Sequence, residues 1–278
     1  MSLSGKAKLA GVIGWPVGHS WSPRLHGHWL EFYGIDGAYV PLPVRPADFA
    51  EVLRALPRMG FSGANVTLPH KETALALVDH LDPLARRIGA VNTLIVRSDG
   101  SIEGRNTDAF GFRENLRHVL PGLSLAAGPA VVVGAGGAAR AVVAALEDAG
   151  APEIRLVNRT RERAENLAKS MGALVRVIDW EQRHDCLADT ALLVNTTTQG
   201  MSGQPPLPLL LDRLPLTATV TDLVYVPLET PLLADARRRG LAVVDGLGML
   251  LHQARPGFEA WFGVMPEVTD TLRRFVEA

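Results

Sequence analysis

The sequence predicts an α/β fold built from two domains. Short runs rich in Val, Ile and Leu alternate with longer stretches of helical period, which is typical of βαβ units around a parallel sheet. The alternation stops once, at the Pro- and Gly-containing stretch 121–129, and then begins again. A chain of 278 residues, 47% of them hydrophobic, is long enough to form two such cores.

In the first series, LAGVIG and GAYVPLPV predict strands on either side of a helix over residues 23–33. Ser22 is the expected N-cap of this helix and Pro23 its first residue, where the missing N–H is tolerated. The next elements are, in order, a helix over 48–59, a strand in FSGANVTL, a helix from Lys71, a hairpin in AVNTLIVRSDGSIEGRNTD with its turn at 98–101, and a helix over 107–120.

The second series predicts a Rossmann-type domain. Its elements are, in order, a strand in PAVVVGAG, a helix in GAARAVVAALEDAG, a strand in EIRLVNR, a helix in TRERAENLAKSMG, strands in ALLVNTT and ATVTDLVY, a helix in TPLLADARRRG and a strand in LAVVDG. Two helices are expected after it, in LGMLLHQARPGFEAWFG and in the last segment. We therefore expect one domain to comprise residues 1–110 plus 247–278, and the other residues 111–246.

Composition excludes several classes of protein. A net charge of -1 is typical of a soluble globular protein and argues against a nucleic-acid partner. The single Cys186 excludes an intramolecular disulfide and suits a reducing cytoplasm. No His or Cys spacing indicates a metal site, and no signal peptide is expected. The most apolar region, AAGPAVVVGAGGAARAVVAAL, is broken by glycines, Pro129 and Arg140, so we expect a buried strand, turn and helix there and no membrane partner.

A glycine-rich turn follows the first strand of the second series. VVVGAGGAARAV places Gly134, Gly136 and Ala139 at the spacing of the dinucleotide-binding fingerprint. The first glycine permits a tight turn, and the second lets the backbone approach a pyrophosphate at a helix N-terminus. The alternative is a glycine turn that serves packing alone.

The end of the next strand favours NADP over NAD. An NAD site usually places an acid there, whereas this chain has Asn158-Arg-Thr-Arg-Glu-Arg163. Arg159, Arg161 and Arg163 offer guanidinium groups suited to a 2′-phosphate. The alternative is a solvated helix face on which Glu162 and Glu165 offset the arginines.

Lys71 lies at a strand-to-helix junction in NVTLPHKE. Only four of the 28 basic residues are lysines. An amine can lose its proton at accessible pH and a guanidinium cannot, which makes Lys71 a candidate for proton transfer. The alternative is ordinary surface charge.

Further motifs accompany the glycine turn and NVTLPHKE along almost the whole chain. They are GWPVGHSWSP followed by His26, AVNTL, GRNTDAFGF, NRT, NTTTQGM, DLVYVPLETPLL and GLGMLLHQA. In this order they closely resemble the motifs of the shikimate dehydrogenase family. The resemblance implies reversible NADP-linked reduction of 3-dehydroshikimate to shikimate, in the biosynthesis of chorismate and the aromatic amino acids.

The resemblance also implies a role for individual residues. Lys71 would be the acid/base and Asp108 its partner. The substrate carboxylate would be bound by Ser20 and Ser22 with help from Tyr225, and the ring hydroxyls by Thr67, Asn92 and Gln253. NADP would be held by Gly134, Ala135, Gly136, Gly137, Ala138, Asn158, Arg159, Thr160, Arg163, Thr196, Gly246 and Met249. Residues 1–110 plus 247–278 would be the substrate-binding domain, and 111–246 the NADP-binding domain.

Several alternatives remain open at this stage. Ser20 and Ser22 are also suited to helix capping, and Lys71 with Asp108 to a structural ion pair. The sequence departs from the family pattern at Gly27, at His70 and at Gln199, and the last two are further candidates for the site. A quinate/shikimate dehydrogenase of broader specificity and a non-catalytic NADP-binding regulator are the rival functions. The sequence leaves open whether the chain is a monomer or a homodimer.

Overall fold

The computed structural model describes residues 3–278, which divide into two compact units. The first unit consists of the chain up to Asp108 together with Leu250–Ala278, and the second is Ala109–Met249. Each unit is built on one six-stranded sheet. The predicted α/β class, with two sheets of largely parallel strands, is confirmed.

The strands and helices have the following bounds. The first sheet contains β1 (Lys8–Gly14), β2 (Gly37–Pro43), β3 (Phe61–Val66), β4 (His80–Leu81), β5 (Thr93–Val96) and β6 (Ile102–Arg105). The second contains β7 (Ala130–Val133), β8 (Ile154–Val157), β9 (Val175–Ile178), β10 (Leu192–Asn195), β11 (Thr219–Asp222) and β12 (Ala242–Val244). The helices are α1 (Ser22–Phe32), α2 (Phe49–Ala55), α3 (Lys71–Leu75), α4 (Pro83–Ile88), α5 (Asp108–Val119), α6 (Gly137–Asp148), α7 (Arg161–Ser170), α8 (Pro231–Arg238), α9 (Leu247–Phe262) and α10 (Asp270–Glu277).

The first sheet has the strand order β2-β1-β3-β5-β6-β4. β1 is parallel to both β2 and β3, while β5 is antiparallel to β3 and to β6. The pair β5 and β6 is the predicted hairpin. The sheet buries a core that includes Ile13, Phe49, Ala64 and Leu94. This arrangement brings the carboxyl ends of β1 and β3 to one edge, next to the start of β5.

The second sheet is parallel throughout, with the order β12-β11-β10-β7-β8-β9. Counted along the second unit, this is the 3-2-1-4-5-6 order of dinucleotide-binding folds. The order of strand addition reverses between β7 and β10: the chain proceeds from β7 to β9 towards one edge of the sheet and from β10 to β12 towards the other. Ligands of such sheets bind outside the carboxyl ends of the strands at this reversal.

The predicted bounds of two helices are wrong. The helix predicted over 23–33 already includes Ser22, and its N-cap is Trp21; the Ser22 N–H instead bonds Ser20 Oγ at 3.3 Å. The helix predicted over 48–59 ends at Ala55, because Pro57 has no N–H for a continuing α-helix, and a separate 3-10 turn occupies Pro57–Met59.

The short elements β4, α4 and β9 were not predicted at all. The predicted strand in FSGANVTL is also shorter than expected and stops at Val66. Among the helices of residues 3–278, none combines the length and the apolar character needed to cross a membrane.

Candidate active site

Lys71 and Asp108 form a short ion pair in the first unit. Lys71 Nζ lies 2.6 Å from Asp108 Oδ2, and the side chains are 18% and 7% exposed. A charge-assisted bond of this length fixes the amine relative to the carboxylate. The Lys71 side chain is thus only partly buried.

Local structure places both members of the pair at helix starts. Lys71 is the first residue of α3, after the cis Leu68–Pro69 bond, and its carbonyl accepts the Val91 N–H at 2.8 Å. Asp108 is the first residue of α5, and its N–H bonds Asn106 Oδ1 at 3.0 Å. Asn106 in turn donates to the Ala90 carbonyl at 2.9 Å, so the GRNTD segment is tied to the loop between α4 and β5.

Asn92 is the hub of the site. Its Nδ2 donates to Asp108 Oδ1 at 2.8 Å and lies 3.4 Å from Gln253 Oε1. Its Oδ1 accepts the N–H of Thr107 at 2.8 Å. Asn92 is 2% exposed, so these bonds form away from bulk water, where they are stronger. The structure therefore brings together four of the residues singled out in the sequence: Lys71, Asn92, Asp108 and Gln253.

His70 belongs to the core of the first unit. Its ring stacks on Phe49 with centroids 4.4 Å apart and an interplanar angle of 8°, and its Nε2 bonds the Val44 carbonyl at 2.8 Å. This geometry gives His70 a packing function. Thr67, by contrast, is half-buried, and its side-chain hydroxyl makes no hydrogen bond to any of the described residues.

The two serines of HSWSP lie on one turn at the start of α1. Ser20 is half-buried, and its hydroxyl accepts the Ser22 N–H. Ser22 is 5% exposed and is the first residue of α1. Ser20 thus stabilises the start of the helix, and both hydroxyls lie at a helix N-terminus, which favours an anion.

The glycine turn of the second unit fits a dinucleotide. Gly134 has φ +114°, and a Cβ on it would lie 2.4 Å from Thr196 Oγ1, so only glycine is accommodated there. A Cβ on Gly136 would meet no atom within 4 Å, which leaves open space in front of α6. No side chain from the described part of the chain caps α6, and its first turn has no acid. The N-terminus of α6, with the backbone N–H groups of Gly137 and Ala138, is therefore suited to binding a phosphate.

The arginines after β8 differ in their partners. Arg161 pairs with Glu165 at 2.7 Å and also with Asp179. Arg159 and Arg163 are exposed, and within residues 3–278 neither guanidinium has a hydrogen-bond or ion-pair partner. These two arginines are thus available for a 2′-phosphate, whereas Arg161 is already engaged.

The remaining candidates occupy loops that follow other strands of the second sheet. Thr196 follows β10, and its hydroxyl donates to the Val133 carbonyl at 2.7 Å, at the reversal of strand order. Asn158 donates to the Thr160 carbonyl at 2.8 Å and shapes the turn before α7. Tyr225 lies beyond β11, and burial raises the pKa of its phenol, so the group stays a neutral donor.

Gly246 packs against the backbone of Leu223 and Val224, and Met249 is 8% exposed in the first turn of α9. Gln199 is half-buried, and its backbone N–H bonds Thr197 Oγ1 at 3.1 Å.

Sequence reasoning missed four polar residues that contact this site or continue from it: Tyr39, Asn65, Thr93 and Thr107. Thr107 donates to Asn92 through its backbone, and Thr93 Oγ1 bonds Asn92 Oδ1 at 2.9 Å. Both stand directly beside residues that were identified, and Asn65 opens NVTLPHKE. Tyr39 carries no such signal, because a tyrosine is an ordinary strand residue.

A Rossmann-type unit with an open glycine turn, in one chain with a partly buried Lys–Asp pair, defines a dinucleotide-dependent oxidoreductase. Sequence comparison is consistent with this class. Three family models match the chain. Residues 12–94 match the "Shikimate dehydrogenase substrate binding domain" and residues 117–201 match "Shikimate / quinate 5-dehydrogenase". Residues 246–273 match the "Shikimate 5'-dehydrogenase C-terminal domain". The chain belongs to the shikimate dehydrogenase family.

Individual relatives agree along nearly the whole chain. The shikimate dehydrogenase (NADP(+)) of Paramagnetospirillum magneticum is 68% identical over 274 residues, which cover 99% of both chains. A shikimate 5-dehydrogenase from Thermus thermophilus, solved with NADP(H) and shikimate, has a TM-score of 0.85 at 40% identity over 97% of both chains. A quinate dehydrogenase from Corynebacterium glutamicum, solved with NAD, has a TM-score of 0.89 at 31% identity over 98% of both chains.

Proposed function

We propose that this chain is a shikimate dehydrogenase that interconverts 3-dehydroshikimate and shikimate with NADP(H), in the cytoplasm, as a step of aromatic amino-acid biosynthesis. The observation that carries the proposal is the 2.6 Å Lys71–Asp108 pair, bonded through Asn92 to Gln253, in a member of this family. A purely structural ion pair has no need of a lysine whose side chain is 18% exposed.

Lys71 acts as the general acid and base. Reduction of a ketone leaves an alkoxide that needs a proton, and oxidation of the alcohol requires that a base take it. Bound NADP(H) supplies or accepts the hydride. Asp108 holds the Lys71 amine in position, and Asn92 holds Asp108 by its second oxygen.

The other residues of the first unit bind and orient the substrate. Asn92, Thr67 and Gln253 offer polar groups to the ring hydroxyls. Ser20, Ser22 and Tyr225 offer hydroxyl donors to the carboxylate. A small polyhydroxy acid is recognised by a few fixed donors of this kind.

The second unit holds NADP. The turn from Gly134 to Ala138 receives the pyrophosphate, and Thr196, Gly246 and Met249 line the nicotinamide end. The adenosine end with its 2′-phosphate meets four residues: Asn158, Arg159, Thr160 and Arg163. Residues 1–110 plus 247–278 accordingly form the substrate-binding domain and residues 111–246 the NADP-binding domain. We include a homodimer in the proposal as the oligomer to test by sedimentation.

Turnover of two substrates with two cofactors tests this function. Shikimate with NADP should give the highest kcat/KM, measured as the formation of reduced cofactor. Preference for quinate or for NAD would instead favour the broader activity, which the similarity to the quinate dehydrogenase makes the rival. No turnover in any of the four combinations would favour a non-catalytic regulator.

The substitution Lys71→Arg tests the catalytic assignment separately. Arginine keeps the positive charge beside Asp108 but does not release a proton at accessible pH. We expect kcat to fall by about 10²–10⁴-fold, the range of general acid–base catalysis, while the melting temperature changes little. Turnover within threefold of the wild type would show that Lys71 is only a structural cation.

A further inference from the structure

A buried row of hydrogen bonds runs from Tyr39 to the carboxylate of Asp108. The Tyr39 hydroxyl lies 2.7 Å from Asn65 Oδ1, and Asn65 Nδ2 lies 3.2 Å from Thr93 Oγ1. Thr93 Oγ1 bonds Asn92 Oδ1 at 2.9 Å, and Asn92 Nδ2 bonds Asp108 Oδ1 at 2.8 Å. All five residues are no more than 7% exposed.

The direction of each bond in this row is fixed by backbone groups. Asn65 Nδ2 also lies 3.1 Å from the Asn92 carbonyl, which only accepts, so the Asn65 amide must present its oxygen to Tyr39. Asn92 Oδ1 accepts the backbone N–H of Thr107, which fixes the second amide in the same way. Tyr39 therefore donates to Asn65, Asn65 to Thr93, Thr93 to Asn92, and Asn92 to Asp108.

A row in which every bond donates in one direction is cooperative, because each donor polarises the next group. Here the row ends on the ionised oxygen of Asp108, where stronger donation is most favourable. The other oxygen of the same carboxylate holds Lys71. The first donor of the row therefore contributes to the position of the acid/base pair without touching it.

Aromatic packing holds the Tyr39 side chain in this position. The ring of His26 stacks on it with centroids 3.9 Å apart and an interplanar angle of 6°. The ring of Trp261 lies beside the same ring, with centroids 5.9 Å apart. Burial raises the pKa of the Tyr39 phenol well above its ordinary value, so the group remains a neutral donor. Tyr39 thus contacts α1 through His26 and is the first donor of the row that ends at Asp108.

We propose that Tyr39 is a positioning residue that orients the Asp108–Lys71 pair through Asn65, Thr93 and Asn92. The inference rests on the proposed function and deepens it, since it adds a residue remote from the reacting atoms. The rival explanation is that Tyr39 only satisfies polar groups in the core. That role would affect stability without a selective effect on turnover.

The substitution Tyr39→Phe removes the hydroxyl and keeps the ring that stacks on His26. We expect kcat for shikimate oxidation to fall about tenfold, the effect of losing one neutral hydrogen bond that acts on the pair. The KM for NADP should stay within twofold, because the cofactor residues belong to the second unit. Tyr33→Phe is the matched control: its hydroxyl accepts the Glu267 N–H at 3.3 Å and has no bond to the row. This control should leave kcat within twofold of the wild type.

A double-mutant cycle tests the route of the effect. If Tyr39 acts through Asn65, Tyr39→Phe should lower kcat by less than twofold in an Asn65→Ala background. If thermal melting shows that the Asn65→Ala variant is unfolded, Asn65→Ser takes its place in the cycle. If the fold-losses in kcat of the two single variants simply multiplied in the double variant, the proposed route would be overturned.

Three further outcomes distinguish a failure of the inference from a failure of the proposed function. An active wild type together with unchanged kcat in Tyr39→Phe, or equal losses in Tyr39→Phe and Tyr33→Phe, overturns the inference alone. A wild-type protein that does not oxidise shikimate overturns both.

Discussion

The substitution Gly136→Ala separates a cofactor-binding glycine turn from a turn that serves packing. Gly136 has φ −98° and ψ −170°, extended values that alanine adopts without strain. The added methyl group would meet no protein atom within 4 Å. Its only effect on shape is to fill the space in front of α6 that a pyrophosphate needs.

The expected change in the free energy of unfolding is close to zero. Replacing glycine by alanine restricts the unfolded chain and stabilises by about 0.4–1 kcal/mol. Gly136 is also the N-cap of α6, where alanine is less favourable than glycine by roughly 0.5–1 kcal/mol. The two effects offset each other to within about 0.5 kcal/mol, so the urea denaturation midpoint should hardly move.

Binding of NADPH should change much more. A methyl group between the helix N-terminus and the phosphates removes close contacts with the backbone, and we expect the Kd to rise at least tenfold, which is about 1.4 kcal/mol. Fluorescence titration with NADPH measures this directly. Gly134→Ala is the contrasting variant, because its φ of +114° and the 2.4 Å approach to Thr196 Oγ1 predict a loss of stability as well. If Gly136→Ala bound NADPH with wild-type affinity, the turn would serve packing and the cofactor assignment would be wrong.

Three other substitutions have clear expected outcomes. Arg159→Ala should raise the KM for NADP about tenfold and leave the KM for NAD unchanged. Arg161→Ala should change the KM for NADP less than twofold, because the Arg161 guanidinium is already paired. Equal increases in the KM for NADP in the two variants would contradict the assignment. Burial lowers the pKa of His26 from 6.5 to about 3, so only the unfolded chain takes up this proton and stability is lost as pH falls below about 6.5, by roughly 1.4 kcal/mol per pH unit. His26→Phe keeps the ring and should flatten this dependence in urea denaturation; an unchanged slope would show that His26 is not its source. Burial raises the pKa of Asp222, so its contribution to stability is full below about pH 4 and declines as pH rises through the raised value; the stability of Asp222→Asn relative to wild type should therefore increase from pH 4 to pH 7, and a constant difference would refute this.

The sequence predicted those parts of the fold whose signals are local. The glycine turn lies between a buried run of four residues and an Ala/Val-rich helix, so both its position and its fold context could be recognised. The hairpin of β5 and β6 was equally visible, because two alternating runs surround Ser98-Asp-Gly-Ser101.

The errors occurred where neighbouring signals conflict. Helical periodicity continues from Asp48 to Met59, but Pro57 removes the N–H that a continuous α-helix requires. The strand β9 has only four residues, and just one of them, Ile178, is buried, so it lacks the apolar run that identified its neighbours. β4 has two residues and is defined by its pairing with β6 alone, which no local pattern specifies.

The site shows the same limit at the level of side chains. Lys71 and Asp108 are 37 positions apart, and the residues alone gave no distance between them; the family resemblance supplied the pairing. The hydrogen bonds that hold the pair depend on which way each strand residue points. Tyr39, Asn65 and Thr93 lie on three different strands of the first sheet, β2, β3 and β5. They meet because β1 is the single strand between β2 and β3, and because β5 pairs directly with β3.

This strand order has a consequence for how the acid/base pair is assembled. Asp108 is the last residue of the first unit, and every hydrogen bond to its carboxylate described above comes from Lys71 or Asn92 of that same unit. Asn92 is in turn held by Thr93 and Thr107 next to β5 and β6. The first sheet therefore sets the position of the proton-transfer pair, while the second sheet independently sets the glycine turn at its own reversal of strand order.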